Sequence, residues 1–264
     1  MNQSFHLLLA EWTKLKRSPA LYLSGAVVLF LIAFLAFVHS MDVQSLSELD
    51  ANPWERYLNR GIISYSVFVL SAFVVLFTGA VLHLEQRANA WKYLYTLPVG
   101  RGGFYFAKLF AILLVLFAMG LLLVGGLWLS GQWLHLFFPE FELNFYQPHW
   151  RDAFEMMAHS FLAILGVLGI QYFLGHVFRQ FIAPMAIGTI SILLGFIVAV
   201  GDKKMALFVP YAYSAIVQDY QMFRFTHRQE FDGWWLNNIE CYSLGVFLFF
   251  VLLGHWYERR RNVH

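Results

Sequence analysis

The chain has 264 residues, 59% of them hydrophobic and only 13% charged, with a net charge of +2. Soluble domains carry about 25% charged residues. A mean hydropathy of +0.59 argues against a soluble enzyme, and so small a charge gives no reason to expect a nucleic-acid partner. Cys241 is the lone cysteine, which rules out an intramolecular disulfide, and it reads as a small buried apolar residue.

The first predicted element is a helix before any apolar block. Phe5, Leu8, Leu9, Trp12 and Leu15 recur at helical spacing, with Asn2, Gln3, Glu11 and Lys14 mainly opposite. Such a stripe predicts an amphipathic helix lying flat at the inner membrane surface. Ser18–Pro19 should break it where the chain turns into the bilayer, because the residue before proline disfavours helix. Residues 1–17 contain no continuous apolar core, so no cleavable leader is expected and the first apolar run would act as an uncleaved anchor.

Six apolar runs follow, at 20–39, 61–84, 105–129, 153–174, 181–200 and 239–256. Each approaches the roughly 20 helical residues that cross a hydrocarbon core. Lys and Arg are absent from their interiors, with Lys108 in the first turn of the third. Solid apolar blocks predict helices, since barrel strands would alternate. The link between runs four and five, near 177–180, predicts a tight hairpin. The segments 40–60, 130–152 and 201–238 join the runs on the opposite side. Within the last, the piece 205–217 contains Pro210 and is too short and broken to span. It could dip into the membrane only if shielded by protein or water.

Positive charge orients the bundle. With the N-terminus in the cytosol, the inner side holds Lys14, Lys16, Arg17, Arg87, Lys92, Arg101, Lys108, Arg179 and Arg259 to Arg261. Seven Lys and Arg residues fall outside: Arg56, Arg60, Arg151, Lys203, Lys204, Arg224 and Arg228. Both termini are therefore expected in the cytosol, in a multi-pass protein of the cell's inner membrane.

One inner segment stands out. Residues 88–96 allow about two helical turns, which put Trp91, Leu94 and Tyr95 on one side before Leu97 and Pro98 end the helix. These aromatics suit either a groove on a soluble partner or the lipid headgroups. Glu85, Ala90–Trp91–Lys92, Leu94, Leu97–Pro98, Arg101 and Lys108 follow a pattern that resembles the permease subunits of type-2 ATP-binding-cassette exporters. The likeness is to the branch of lantibiotic-immunity and bacitracin-resistance permeases, where T-W-K-x-L-x-x-L-P-x-x-R occurs. Ala90 and Gly100 replace hydroxyl residues of that pattern, so neither hydroxyl's role carries over. The run from Glu11 to Ser18 and the six-span layout match as well.

The resemblance implies a single transmembrane permease domain over 1–264: an all-α protein of six spans. It has an interfacial connecting helix (1–19), a coupling segment (85–104) and a re-entrant outer loop (201–238). Glu85, Trp91, Lys92, Leu94, Tyr95, Leu97, Pro98 and Arg101 would dock a separate cytosolic ATPase that holds ATP and Mg. A second permease, identical or related, would complete an exporter of an amphipathic peptide antibiotic, lipid or drug, with antibiotic resistance as one outcome.

The residues themselves offer little chemistry. The phosphate-cradling G-x-x-x-x-G-K-[ST] is absent, and Gly100, Gly102 and Gly103 read as a flexible bend. Neither H-E-x-x-H nor G-x-S-x-G occurs, so no catalytic residue is expected. The ten histidines show no ligand spacing, so no metal is expected. Glu155 and His159 share a helix face and read as a hydrated structural pair. Gln171 could meet substrate or a neighbouring helix equally well, and the glycines of runs four and five favour intrachain packing. The other classes to weigh are a stand-alone transporter, channel or scaffold, and an intramembrane enzyme. Intramembrane carboxylates would favour an ion-coupled carrier, and the run interiors have none.

Overall fold

The computed structural model describes residues 2–41, 52–87, 101–138, 146–178, 180–227 and 236–260. Among them every long element is a helix, and six are long and apolar enough to cross a membrane. Only a helix satisfies all its backbone groups within itself in hydrocarbon. The elements are α1 (Asn2–Lys16), α2 (Pro19–Met41), α3 (Pro53–Ser64), a π-helical stretch (Tyr65–Leu70), α4 (Ser71–Arg87) and α5 (Arg101–Phe137). Then come α6 (Trp150–Phe178), α7 (Ile182–Gly201), α8 (Lys203–Ala206), a 3₁₀ turn (Pro210–Ala212), α9 (Tyr213–His227) and α10 (Asn238–Arg260). The second span is the continuous run α3–π–α4. The bundle therefore has an N side, which holds α1, and a far side.

All the spans but the fifth are longer than their apolar runs, and two extensions stand out. The second span begins at Pro53 rather than 61, and the third reaches Phe137 rather than 129. Arg56, Asn59 and Arg60 hide the first extension from a hydropathy reading. Pro53 occupies the first helical turn, and the Asn52 side chain accepts the Trp54 N–H at 3.0 Å. Trp54, Tyr57 and Leu58 then turn inward. Tyr57 hydrogen-bonds Ser130 at 2.7 Å, and Trp54 lies over Gly131, where an added Cβ would sit 2.6 Å from the indole. Gly102 and Gly103 also fall within α5 rather than in a bend. A Cβ on Gly102 would meet the His255 ring at 2.7 Å, so Gly102 serves contact rather than flexibility.

The centre of the bundle is α6, which packs against α3, α4, α5, α7, α9 and α10. Its glycines let backbones touch, as the intrachain reading expects. A Cβ on Gly169 would lie 2.9 Å from the Phe247 Cα, and one on Gly166 3.3 Å from the Ser243 carbonyl oxygen. Ser243 donates to the Leu162 carbonyl at 2.8 Å and accepts the Gly166 N–H at 2.9 Å. Gly169→Val should lower unfolding free energy by about 1–3 kcal/mol, because backbone cannot rotate aside. Equilibrium unfolding in mixed micelles measures it, and Gly245→Val is the control, since nothing lies within 4 Å of Gly245.

Elsewhere the apolar surface faces outward. Phe30, Ile182, Ile197 and Val200 are largely exposed, as lipid-facing side chains must be. Cys241 is exposed too, contrary to the buried reading. It is the residue after buried Glu240, and one step along a helix turns a side chain about 100° away.

Candidate functional site

On the N side, α1 packs on α5. Leu15 is buried and Leu8 rests on the core, while Leu9 and Trp12 are exposed. The polar face departs from expectation. Glu11 is 3% exposed and contacts Lys14 at 2.6 Å and Lys108 at 3.4 Å. Lys108 is itself buried, two turns into α5 rather than in its first turn. A helix wedged between protein and lipid has two useful faces, and a carboxylate turned toward protein needs a cation there. Beside it, Tyr105 donates to the Val251 carbonyl at 2.9 Å and its own carbonyl accepts the Tyr172 hydroxyl at 2.7 Å. These bonds tie the N-side ends of α5, α6 and α10 together.

Of the predicted docking residues, Glu85 and Arg101 have a described backbone. The Glu85 backbone lies in the last turn of α4 and Arg101 opens α5, both on the N side. Trp91, Lys92, Leu94, Tyr95, Leu97 and Pro98 lie outside the described residues.

Toward the far side, a polar network crosses the bundle. His159 and Glu240, 1% and 0% exposed, are in direct contact. The other Glu240 oxygen accepts the Asn237 N–H at 2.8 Å, which is the reciprocal half of a helix-start capping box. Glu155 contacts Arg151 at 3.1 Å instead. The hydrated Glu155–His159 pair is thus corrected: His159 turns into the bundle, and its acid comes from α10. A second chain of bonds lies alongside: Ser66 donates to Ser160 at 2.7 Å, and Gln218 donates to Ser160 at 2.6 Å. Ser66 stands in the π-helical stretch, an irregularity often found at functional sites.

The segment after α7 folds back onto it. The Tyr211–Ala212 backbone packs on Gly195, where a Cβ would meet the Tyr211 carbonyl carbon at 2.7 Å. Gly195 lies six residues before the end of α7, about 9 Å along the axis. The Tyr211 hydroxyl accepts from Gln171 at 2.7 Å, so a neighbouring element is the partner seen for Gln171. Beneath α9 a groove of about 420 Å³ opens between the second and fifth spans. Ile63, Val67, Phe68, Phe196 and Val200 line it, and Lys203, Gln218 and Asp219 supply its polar edge. Lys203 and Asp219 pair with each other at the surface, and the rings of Phe68 and Phe196 are 5.7 Å apart.

An all-helical bundle in which six of the described helices are long and apolar enough to cross a membrane points to a multi-pass membrane protein. The model of the ABC-2 family transporter proteins matches residues 7–196. The chain belongs to that family: it is a transmembrane permease component of an ABC transporter, which is not itself the ATPase and implies an ATPase partner. The matched range runs from α1 almost through α7. No curated protein matches the chain.

Proposed function

We propose that this chain is the membrane subunit of an ATP-driven exporter for amphipathic molecules, of the lantibiotic-immunity and bacitracin-resistance branch. Family membership, in a bundle whose sequence lacks a phosphate-binding loop, is the observation that carries it. A cytosolic ATPase holding ATP and Mg grips the segment 88–96. The N side is then cytosolic, both termini lie there, and a second permease copy or paralogue completes the path. Support for the docking site comes from the residue pattern around Trp91 and from the N-side ends of α4 and α5 that flank it. The interfacial role of α1 is supported by exposed Leu9 and Trp12 beside buried Leu15. The segment 201–238 acts as a re-entrant cap, a reading supported by the Tyr211 backbone packed on Gly195. An apolar groove with a charged edge suits an amphipathic substrate.

Copurification in mild detergent tests the reading. A soluble ATPase should accompany the wild-type chain. Trp91→Asp with Leu94→Asp should abolish its recovery while membrane insertion persists. Two anchors at about 2 kcal/mol each weaken binding on the order of 1,000-fold. Undiminished ATPase recovery with that variant refutes the docking site. ATPase activity in the isolated chain refutes the separate motor.

A further inference from the structure

We propose that Glu55, His149 and Asp152 form a binding site for a divalent transition metal, best suited to Zn²⁺, that clips the far-side ends of the second and fourth spans together. One donor atom from each of the three lies within 4.8 Å of the others. Ligands at about 2.1 Å from a tetrahedral ion stand about 3.4 Å apart, so small rotamer adjustments bring all three onto one ion. They bound a void of about 10 Å³, shared with Asn59, which is about the space of one water-sized sphere. The donor set is an imidazole with two carboxylates, which favours Zn²⁺ and its neighbours over Mg²⁺ or Ca²⁺. The fourth position is left to water.

The ligands stand on fixed backbone. Glu55 is in the first turn of α3, whose start is set by the Asn52 cap. Asn52 also donates to the Gln147 carbonyl at 2.8 Å, holding the approach to His149 against α3. His149 accepts the Ala153 N–H at 3.3 Å as α6 begins, and Asp152 follows at i+3. His149 also contacts Glu55 directly, whereas the Asp152 carboxylate shows no hydrogen bond or ion pair among the described residues. Charge decides whether a cation is welcome. Two helix N-termini contribute about +0.5 each, and two carboxylates contribute −2, so the site remains anionic. The nearest cation on α6, Arg151, is turned to Glu155. The site lies apart from the groove and from the docking segment, so it stands or falls independently of the transport reading.

Co²⁺ is the probe, because a tetrahedral site gives it an intense visible absorption. The full chain, purified in detergent and stripped with EDTA, should develop that band at one equivalent, and Zn²⁺ should displace it. His149→Gln and Asp152→Asn should lose the band, and Glu55→Gln should bind at least 10-fold more weakly. His149→Cys, which keeps a metal-binding side chain, should retain it, as should His6→Gln. A wild-type protein that takes up no more Co²⁺ than His149→Gln overturns the site and leaves a plain His149–Glu55 ion pair. Loss of the band in His149→Cys as in His149→Gln, with both variants monodisperse, overturns it as well.

Discussion

Glu240→Ala should cost about 3–5 kcal/mol of stability, among the largest losses of any single change in this chain. Glu240 is fully buried, and each of its oxygens has a partner: His159 on one side, the Asn237 N–H on the other. Removing the carboxylate leaves an imidazole in the packed interior without its acid, and a buried pair broken from one side carries that penalty. It also uncaps α10 at its start. Glu240→Gln keeps the shape and one acceptor, so its loss should be about 1 kcal/mol. Lys203→Gln interrupts only the surface pair with Asp219 and should change stability by less than about 0.5 kcal/mol. Unfolding in mixed detergent micelles would rank the three. A loss for the alanine variant no larger than that of Lys203→Gln would contradict a structural role for the carboxylate.

Gly195→Leu is expected to lift the segment after α7 from the bundle. The atoms facing Gly195 are the backbone of Tyr211 and Ala212, at 2.7 and 2.9 Å from an added Cβ. Backbone cannot swing away as a side chain end can, so the segment must move as a unit. That movement would strain the Gln171–Tyr211 hydrogen bond and the packing of Ala206, Ala212 and Val217 around Ala163. Overpacking costs about 1–3 kcal/mol, and here it is concentrated on one short segment. Limited proteolysis between α7 and α10 should accelerate several-fold, while the thermal transition of the remaining bundle shifts little. Gly125→Leu is the control, since nothing lies within 4 Å of that glycine. Unchanged cleavage in Gly195→Leu would mean that the segment does not rest on α7.

The two predictions draw on different levels of the molecule. Helix existence was legible because hydrocarbon leaves a chain few choices, and solid apolar blocks announce it. Helix ends were not. Pro53–Ser64 alternates Trp54, Tyr57 and Leu58 with Glu55, Arg56, Asn59 and Arg60, so hydropathy loses it while an N-cap and a proline start it. The segment around Trp91 offers only a residue pattern, and it lies outside the described residues. The candidate chemistry was least legible of all. His159 and Glu240 are 81 positions apart, and Glu55 and His149 are 94 apart. Separations of that kind follow no spacing rule, and no window along the chain contains both members.

The sequence by itself determined the solvent this protein lives in and the number of its long apolar crossings. Tertiary structure alone decided which polar groups meet. Glu11 was drawn from the polar stripe of α1 to buried Lys108, and Glu240 from the head of α10 to His159. The physical reason is desolvation. A charge taken out of water must find its counterpart wherever packing brings one, and packing joins residues that the order of the chain keeps apart.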